Sequence, residues 1–187
     1  MLLKGLIAVS LLVVQGLAAA APSAEDILAA SDAIRNPGRP FAVTVTLTEF
    51  SNGKQVDTST LRSFSRTERQ GGQFSSLIQF VIPARDAGKL MLKNGNDMWF
   101  YDPTSKASVR LSPQQRLLGQ ASNGDVVTVN LAKDYQVTIA EEEEITDGER
   151  KTRKAKKLAL VALSPDVTYA SIEMWVDADN HRPIKAR

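Results

Sequence analysis

The chain has 187 residues, with 23 lysines and arginines against 21 aspartates and glutamates, and it contains no cysteine. This length is typical of one domain with its own hydrophobic core, and the near-balance of charge gives no support to nucleic-acid binding. The lack of cysteine excludes disulfides, thiolate metal sites and cysteine nucleophiles, and it also excludes a lipid carried on an N-terminal cysteine.

A short basic and apolar segment opens the chain. Lys4 precedes an apolar run over residues 6–14, and the alanines at 18–20 form the small-residue pattern that signal peptidase cleaves. We therefore predict a signal peptide over residues 1–20 and one domain over residues 21–187, exported to the periplasm. The alternative is an uncleaved membrane anchor, for which this run is short because a span needs about 20 apolar residues.

One helix is predicted at the start of the domain. Ser23 and Asp26 form a variant of the capping box, which indicates that a helix begins there. Apolar residues then recur at helical spacing. Asn36 followed by Pro37 predicts the end of the helix, because the residue before a proline is disfavoured in helical conformation.

From residue 41 the hydrophobic period changes to two. Apolar residues alternate with threonines over 43–48, and Asn52 with Gly53 supplies the positive-φ pair of a two-residue hairpin turn. Strands that follow one another in this way predict a mainly β, antiparallel meander rather than βαβ units. The further predicted strands cover residues 58–64, 74–82, 88–92, 98–101, 171–176 and 183–186. Because the chain ends at Arg187 inside the last of these, we expect an exposed sheet edge there.

A predicted turn at Asn94 and Gly95 assigns side chains to the two faces of a sheet. Such a turn pairs Leu92 with Asp97, Met91 with Met98, and Leu90 with Trp99. One face then carries Leu90, Leu92, Trp99 and Tyr101, and the other carries Met91, Met98 and Phe100. Both faces are apolar, whereas an ordinary two-layer sheet has one wet face. Either helices around a closed core or a ligand in a lipid-sized cavity covers the second face, and the sequence leaves both open.

A short segment between the strands has the features of a lid helix. Residues 112–115 form a capping box with proline at the first helical position, and Leu117 and Leu118 follow. We therefore predict a short helix that lies over the sheet. Residues 126–131 have strand propensity but also suit a second short helix, and the sequence does not decide between them.

Two charge runs flank a predicted turn at Asp147 and Gly148. A two-residue loop there pairs Glu144 with Lys151, Glu142 with Arg153, and Glu141 with Lys154. Opposite charges across a solvated ribbon fix the register and discourage aggregation at the edge. The alternative is a docking patch for a partner.

The sequence shows no catalytic constellation. His181 is the only histidine and lies in a turn sequence, whereas a Ser–His–Asp site needs a histidine held by packed neighbours. Residues 177–180 faintly resemble a calcium loop but lack its central glycine and distal glutamate. We therefore predict a protein that is not an enzyme, with no catalytic residues, no metal site and no cofactor.

Five sequence strings together carry a family resemblance. They are IRNP at 34–37, IPARD at 82–86, MWFYDP at 98–103, RLSPQQRLLGQASNGD at 110–125, and WVD with RPIK within 175–185. They resemble the outer membrane lipoprotein-sorting protein family, a branch of the LolA-like superfamily of periplasmic carriers. The resemblance implies an incomplete antiparallel β-barrel, open along one side, in which short helices close a hydrophobic cavity. It also implies a lipoprotein or lipid cargo, an inner-membrane transporter and an outer-membrane acceptor as partners.

The resemblance also implies that one face of the sheet meets acyl chains. We predict that this is the face with Leu90, Leu92, Trp99 and Tyr101, and that Leu117 and Leu118 close over it. The opposite face, with Met91, Met98 and Phe100, is the alternative. The predicted function is a periplasmic carrier that ferries acyl chains toward the outer membrane and hands them on. The alternative is a regulatory module that senses lipid or lipoprotein, keeps it and signals to a membrane protein.

Overall fold

The computed structural model describes residues 21–67 and 72–187. The predicted signal peptide over residues 1–20 lies outside the described residues. The helices are α1 (Ala24–Arg35) and α2 (Leu131–Asp134), with a 3₁₀ turn at Asn123–Val126. The strands are β1 (Phe41–Ser51), β2 (Lys54–Thr67), β3 (Phe74–Ile82), β4 (Leu90–Asn94), β5 (Asp97–Asp102), β6 (Ala107–Leu111), β7 (Arg116–Leu118), β8 (Ala121–Ser122), β9 (Tyr135–Thr146), β10 (Thr152–Ala162), β11 (Ser171–Asp177) and β12 (Pro183–Ala186).

The strands form open, curled antiparallel sheets, as the meander prediction required. Strands β1 to β6 make a six-stranded sheet in chain order, and β9 to β12 make a four-stranded sheet in the order β12-β11-β10-β9. Strands β7 and β8 form a separate two-stranded ribbon, which lies between β6 and β9 along the chain. The mainly β class with few short helices is confirmed, and the described strands form no closed barrel. Strands β6 to β8 were not predicted from the sequence.

Helix α1 begins and ends where its capping residues predict. The side chain of Ser23 accepts a hydrogen bond from the amide of Asp26, whose carboxylate accepts one from the amide of Ser23, each at 3.1 Å. The helix buries Ile27 and Leu28 against the four-stranded sheet, where both are fully shielded from solvent. The core beneath it contains Tyr135, Val137, Leu158, Leu160, Met174 and Val176.

The six-stranded sheet buries one face under the segment that joins β6 to β9. This face carries Leu61, Ile78, Phe80, Met91 and Met98, which pack against Val126, Val127 and Leu117 of that segment. Val129 packs against the cores of both sheets and so links them. We call the face of each sheet that packs against α1, α2 or the 112–134 segment its inner face, and the opposite one its outer face.

The predicted lid helix after Ser112 is not a helix. The amide of Ser112 does bond the side chain of Gln115 at 2.9 Å, as in a capping box. A helix would then use the carbonyls of Pro113 and Gln115 for its own amides. Those carbonyls instead accept hydrogen bonds from the amides of Gly124 and Asn123, at 3.0 and 2.8 Å. The segment therefore turns and continues as the β7–β8 ribbon.

The hairpin between β9 and β10 has a longer loop than predicted. Residues 147–151 form it, so the ladder begins at Thr146 opposite Thr152. The predicted pairs are wrong, and the register instead places Glu144 opposite Lys154, Glu142 opposite Lys156, and Glu141 opposite Lys157. The carboxylate of Asp147 accepts hydrogen bonds from the amides of Glu149 and Lys151, at 2.9 and 2.8 Å. This Asx-type loop therefore replaces the two-residue turn.

The β4–β5 turn also differs from its prediction by one position. Gly95 and Asn96 are its central residues, since Asn94 pairs with Asp97. Met91 therefore pairs with Phe100 rather than with Met98. The register shift is two residues, and side chains alternate with a period of two, so the two predicted faces keep their members.

Candidate functional site

An open groove lies on the inner side of the four-stranded sheet, beside its edge strand β12. Its volume is about 660 Å³, which is within the range of roughly 300–1,000 Å³ typical of small-molecule sites. The apolar side chains that line it are Val127, Val129, Leu131, Tyr135, Ile172, Met174 and Ile184. The described residues thus form an open groove, and the enclosed cavity predicted from the resemblance is not seen in them.

Strand alternation supplies the floor of the groove. Ile172 and Met174 are two residues apart on β11, so both side chains face inward, opposite Leu160 and Leu158 of β10. Met174 is 2% exposed and belongs to the core, whereas Ile172 is half-buried and borders the open space. Ile172 is therefore the floor residue that a ligand in the groove would contact most directly.

A buried carboxylate holds the helical wall of the groove in place. Asp32 of α1 accepts a hydrogen bond from the amide of Ala132, at 2.8 Å, and thereby ties α1 to α2. Burial raises the pKa of Asp32, although this hydrogen bond and the guanidinium of Arg35 act in the opposite direction. Arg35 lies at the end of α1 and lines the groove, which gives the groove one cationic group at its helical side.

Two loops meet along the far side of the groove and are joined by hydrogen bonds. The hydroxyl of Tyr169 donates to the carboxylate of Asp125 at 2.8 Å, and the side-chain amide of Gln114 donates to the carbonyl of Pro165 at 2.6 Å. Partial burial is the main cause that raises the pKa of Tyr169, and the bond to Asp125 adds to it. Tyr135 donates to the carbonyl of Tyr169 at 3.0 Å from beneath. We call these contacts the clasp, since they join the 112–126 segment to the 163–170 loop.

The structure does not bring the six predicted site residues together. Leu92, Trp99 and Tyr101 lie on the outer face of the six-stranded sheet with 43%, 43% and 36% of their surface exposed, and Leu90 is half-buried there. Leu117 packs on the inner face of the same sheet, so it cannot close over them. Leu118 is half-buried in β7. The predicted arrangement is therefore wrong, while a role of these residues in lipid binding stays a prediction.

The alternative assignment, in which the opposite face of β4 and β5 points inward, agrees with the structure. Met91, Met98 and Phe100 do face inward, and the 112–134 segment covers them. Sequence analysis missed the groove residues on β11, although the alternation of Ile172, Met174 and Val176 was a signal for an inward-facing row. It offered no signal for the clasp, because Asp125 and Tyr169 are far apart in the chain and meet only through the fold.

Within residues 21–67 and 72–187, the structure contains no cluster of histidine or carboxylate residues that could hold a metal ion. The same residues form no helix with the length and hydropathy needed to cross a bilayer. His181 lies in the turn between β11 and β12, at a positive φ of 59°. Such a position is typical of a turn residue.

Comparison with known proteins identifies the family. A family model described only as an uncharacterized protein matches residues 72–187, which is more than half of the chain. A solved LolA superfamily protein from Nitrosomonas europaea is 30% identical, with a TM-score of 0.75 over 89% of this chain and 71% of that one. This chain belongs to the LolA superfamily. The recognition made from the five sequence strings is thereby confirmed.

Two more distant solved structures share the fold of this LolA superfamily chain. A DUF1329 family protein from Desulfovibrio piger is 22% identical, with a TM-score of 0.70 over 87% of this chain and 70% of that one. A domain from Vibrio parahaemolyticus, described as an outer membrane lipoprotein-sorting protein, is 19% identical, with a TM-score of 0.69 over 85% and 68%. No protein with a curated description matches this chain significantly.

Proposed function

We propose that this LolA superfamily protein is an exported periplasmic carrier that binds the acyl chains of lipoproteins or lipids in the groove beside β12, without catalysing a reaction. The observation that carries the proposal is an apolar groove of about 660 Å³ on the inner side of open, curled sheets. The superfamily membership and the signal-peptide pattern over residues 1–20 support it. The proposed partners are an inner-membrane transporter that loads the cargo and an outer-membrane acceptor that receives it.

The energetics of transfer explain why such a groove would be open. Each buried methylene contributes about 0.8 kcal/mol, so a lipid with several acyl chains does not cross water unshielded on a useful timescale. Full enclosure of all its chains would approach the practical ceiling of non-covalent affinity and would prevent release. A groove that covers the chains only in part brings the affinity into a range where an acceptor can remove them.

The clasp closes one side of the groove with loops rather than with a sheet. Its bonds join two loops, and Tyr169 is 44% exposed. Hydrogen bonds at such a surface contribute only about 1 kcal/mol each. Opening the clasp would widen the groove toward Asp125 and Tyr169 and would give an acyl chain a route of entry.

The first test is to identify the cargo. Protein purified from its native periplasm is extracted with organic solvent, and mass spectrometry of the extract is expected to show lipids or acylated peptides at near-stoichiometric amounts. Intact-mass analysis of the same sample tests export, with a mature chain that starts at Ala21 as the expected result. An extract without lipid, together with no saturable binding of a fatty acid by the purified protein, would contradict the carrier proposal.

The second test places the cargo in the groove. Ile172→Asp introduces a charge at the half-buried floor and is expected to weaken fatty-acid binding at least tenfold, since an acyl chain cannot solvate a carboxylate. Val161→Asp is the matched control, because Val161 is 58% exposed and lies on the outer face of the neighbouring strand, opposite Ser171. Circular dichroism verifies that both variants fold. Equal fatty-acid binding by the two variants would show that the groove is not the binding site.

A further inference from the structure

An apolar ladder crosses the outer face of the six-stranded sheet. Phe64 pairs with Leu77, Leu77 with Leu92, and Leu92 with Trp99, so one large apolar side chain from each of β2 to β5 stands in a single row. Their exposed fractions are 39%, 39%, 43% and 43%. With strands about 4.8 Å apart, the row extends over roughly 14 Å. Single exposed apolar residues are ordinary on protein surfaces, whereas a continuous row of four is a candidate interaction surface.

Among the described residues, the covering elements of the fold lie on other faces. Helix α1 packs against the inner face of the four-stranded sheet. The 112–134 segment packs against the inner face of the six-stranded sheet through Val126, Val127 and Leu117. The ladder is therefore on the outer face of the six-stranded sheet, whereas the groove is on the inner side of the four-stranded sheet, and the two surfaces can be tested separately.

The charged side chains that flank the ladder are mainly cationic. The outward positions in the same row and in the two adjoining rows carry Arg62, Arg66, Arg110 and Asp97. Arg110 bonds Asp97, which accounts for that one negative charge. The guanidinium carbon of Arg62 lies 5.5 Å from the centroid of the Phe64 ring, so a cation stands directly over the ladder. The patch thus has an excess of positive charge on a chain whose formal net charge is only +2.

The aromatic residues of the patch have the chemistry of a bilayer interface. Trp99 is in the ladder, and Tyr101 lies two residues further along the same strand and on the same face. Tryptophan and tyrosine are enriched where hydrocarbon meets headgroups, because each ring has an apolar body and a polar group. Arginines beside them are suited to the phosphates of anionic lipids.

We propose that the outer face of the six-stranded sheet docks on the surface of an anionic lipid bilayer. Phe64, Leu77, Leu92 and Trp99 enter the interface, and Arg62 and Arg66 contact headgroup phosphates. A second copy of the chain fits this face less well, because a symmetric face-to-face dimer would bring arginines of like charge together. The inference goes beyond carriage, since docking would hold the protein at a membrane whether or not the groove is filled.

The test is co-sedimentation of the protein with vesicles of two compositions. Binding is expected to vesicles of phosphatidylcholine mixed with phosphatidylglycerol, and much less to vesicles of phosphatidylcholine alone. Arg62→Gln is expected to weaken binding about fivefold, since one basic residue near an anionic surface contributes about 1 kcal/mol. Raising the salt concentration should reduce binding further. Equal binding to both vesicle types would overturn the charge-based proposal.

Variants of the ladder test the orientation of docking. Leu92→Ser and Leu77→Ser are expected to weaken vesicle binding severalfold, whereas Val161→Ser, which changes an exposed residue on the other sheet, should leave it unchanged. Trp99 emission should shift to the blue on anionic vesicles and be quenched by brominated phospholipid, while Trp175, only 4% exposed, provides a constant background.

The alternative occupants have distinct outcomes. A dimer in gel filtration that Leu92→Ser dissociates, without vesicle binding, would replace the bilayer with a second copy and overturn the proposal. Loss of vesicle binding in Ile172→Asp, with Leu92→Ser normal, would assign the membrane contact to the groove and also overturn it. Vesicle binding that fails while fatty-acid binding persists would refute docking but leave the carrier proposal standing.

Discussion

The two sheets bury their inner faces in similar ways but differ on their outer faces. On the four-stranded sheet, the outward Trp175 is only 4% exposed. Lys185, Lys157 and Arg187 lie over its ring, with the cationic group of each 4.8, 5.2 and 5.7 Å from the centroid, and its indole nitrogen donates to Glu143 at 2.5 Å. On the six-stranded sheet, Trp99 has leucine as its neighbour on the next strand and stays 43% exposed.

This difference shows what covers an outward aromatic ring. Long cationic side chains bury the apolar body of tryptophan under their own methylenes and still keep their charges in water. Glu173 completes the arrangement on the four-stranded sheet by bonding both Arg187 and Lys157, and these bonds lower the pKa of Glu173. On that outer surface, these side chains therefore cover Trp175 and pair one another's charges. On the ladder, Arg62 lies over the Phe64 ring, yet all four ladder side chains stay 39–43% exposed, and this is the physical basis for assigning the ladder to a partner surface.

The largest expected effect is the loss of stability when a core leucine is truncated, compared with truncation of a leucine in the ladder. Leu158→Ala removes a side chain with no exposed surface from the core under α1 and is expected to lower the free energy of unfolding by about 2–5 kcal/mol. Leu92→Ala, on the ladder, should lower it by less than about 1 kcal/mol, because Leu92 is already 43% in water. Urea unfolding of both variants measures the difference. A loss for Leu92→Ala as large as that for Leu158→Ala would show that the ladder is covered in solution.

An intermediate loss of stability is expected from a substitution at Gly124, where the 112–126 segment packs against the 163–170 loop. Gly124 lies so close to the 163–170 loop that a β-carbon would be 1.8 Å from the Thr168 hydroxyl oxygen. Gly124→Ala should therefore push the two sides of the clasp apart and cost about 1–3 kcal/mol in unfolding free energy. Adding Thr168→Ala removes the oxygen and the methyl group and should recover part of the loss, which a double-mutant cycle measures. An additive cycle would contradict the contact.

The sequence predicted those parts of the fold that local chemistry determines. The capping pair of Ser23 and Asp26 located α1, and Asn52 with Gly53 located the first hairpin, where both residues have the predicted positive φ. These signals depend only on backbone geometry and neighbouring side chains. The strand alternation was equally local, and the faces of β4 and β5 were correct even though their turn was placed one residue off.

The errors arose where distant segments compete for the same groups. The capping box at residues 112–115 was a correct local signal, but Asn123 and Gly124 bond the carbonyls that the helix needed. The choice between two apolar faces was also beyond the sequence, because the inner face is decided by which side the 112–134 segment covers. The groove depends on Tyr169 meeting Asp125, and nothing in the local sequence encodes that contact.

The smallest expected effect is a difference in how the stability of the β1–β2 hairpin and of the β9–β10 hairpin responds to pH. The first turns at Asn52 and Gly53, both at positive φ, so its turn contains no titratable side chain. The second closes through Asp147, whose pKa is held below its ordinary value of 3.8 by the Lys151 amide, and then by the side chain of Arg153. Because the folded pKa is lowered, this contribution is fully present above pH 3.8 and is lost as the pH falls through the folded value.

The Asp147→Asn variant should reveal this contribution. It removes the charge at every pH, so the difference in unfolding free energy between wild type and variant is expected to be small at neutral pH and to vanish in acid below pH 3.8. Glu149→Gln is the control in the same loop, since Glu149 is 72% exposed and its ion pair with Lys151 is in water, where such pairs contribute little. Urea unfolding over a pH series measures both variants. A difference in unfolding free energy for Asp147→Asn that persists unchanged in acid would contradict this prediction. It would show that amide hydrogen bonds alone hold the loop and that the charge of Asp147 does not. The contrast between the two hairpins would then disappear.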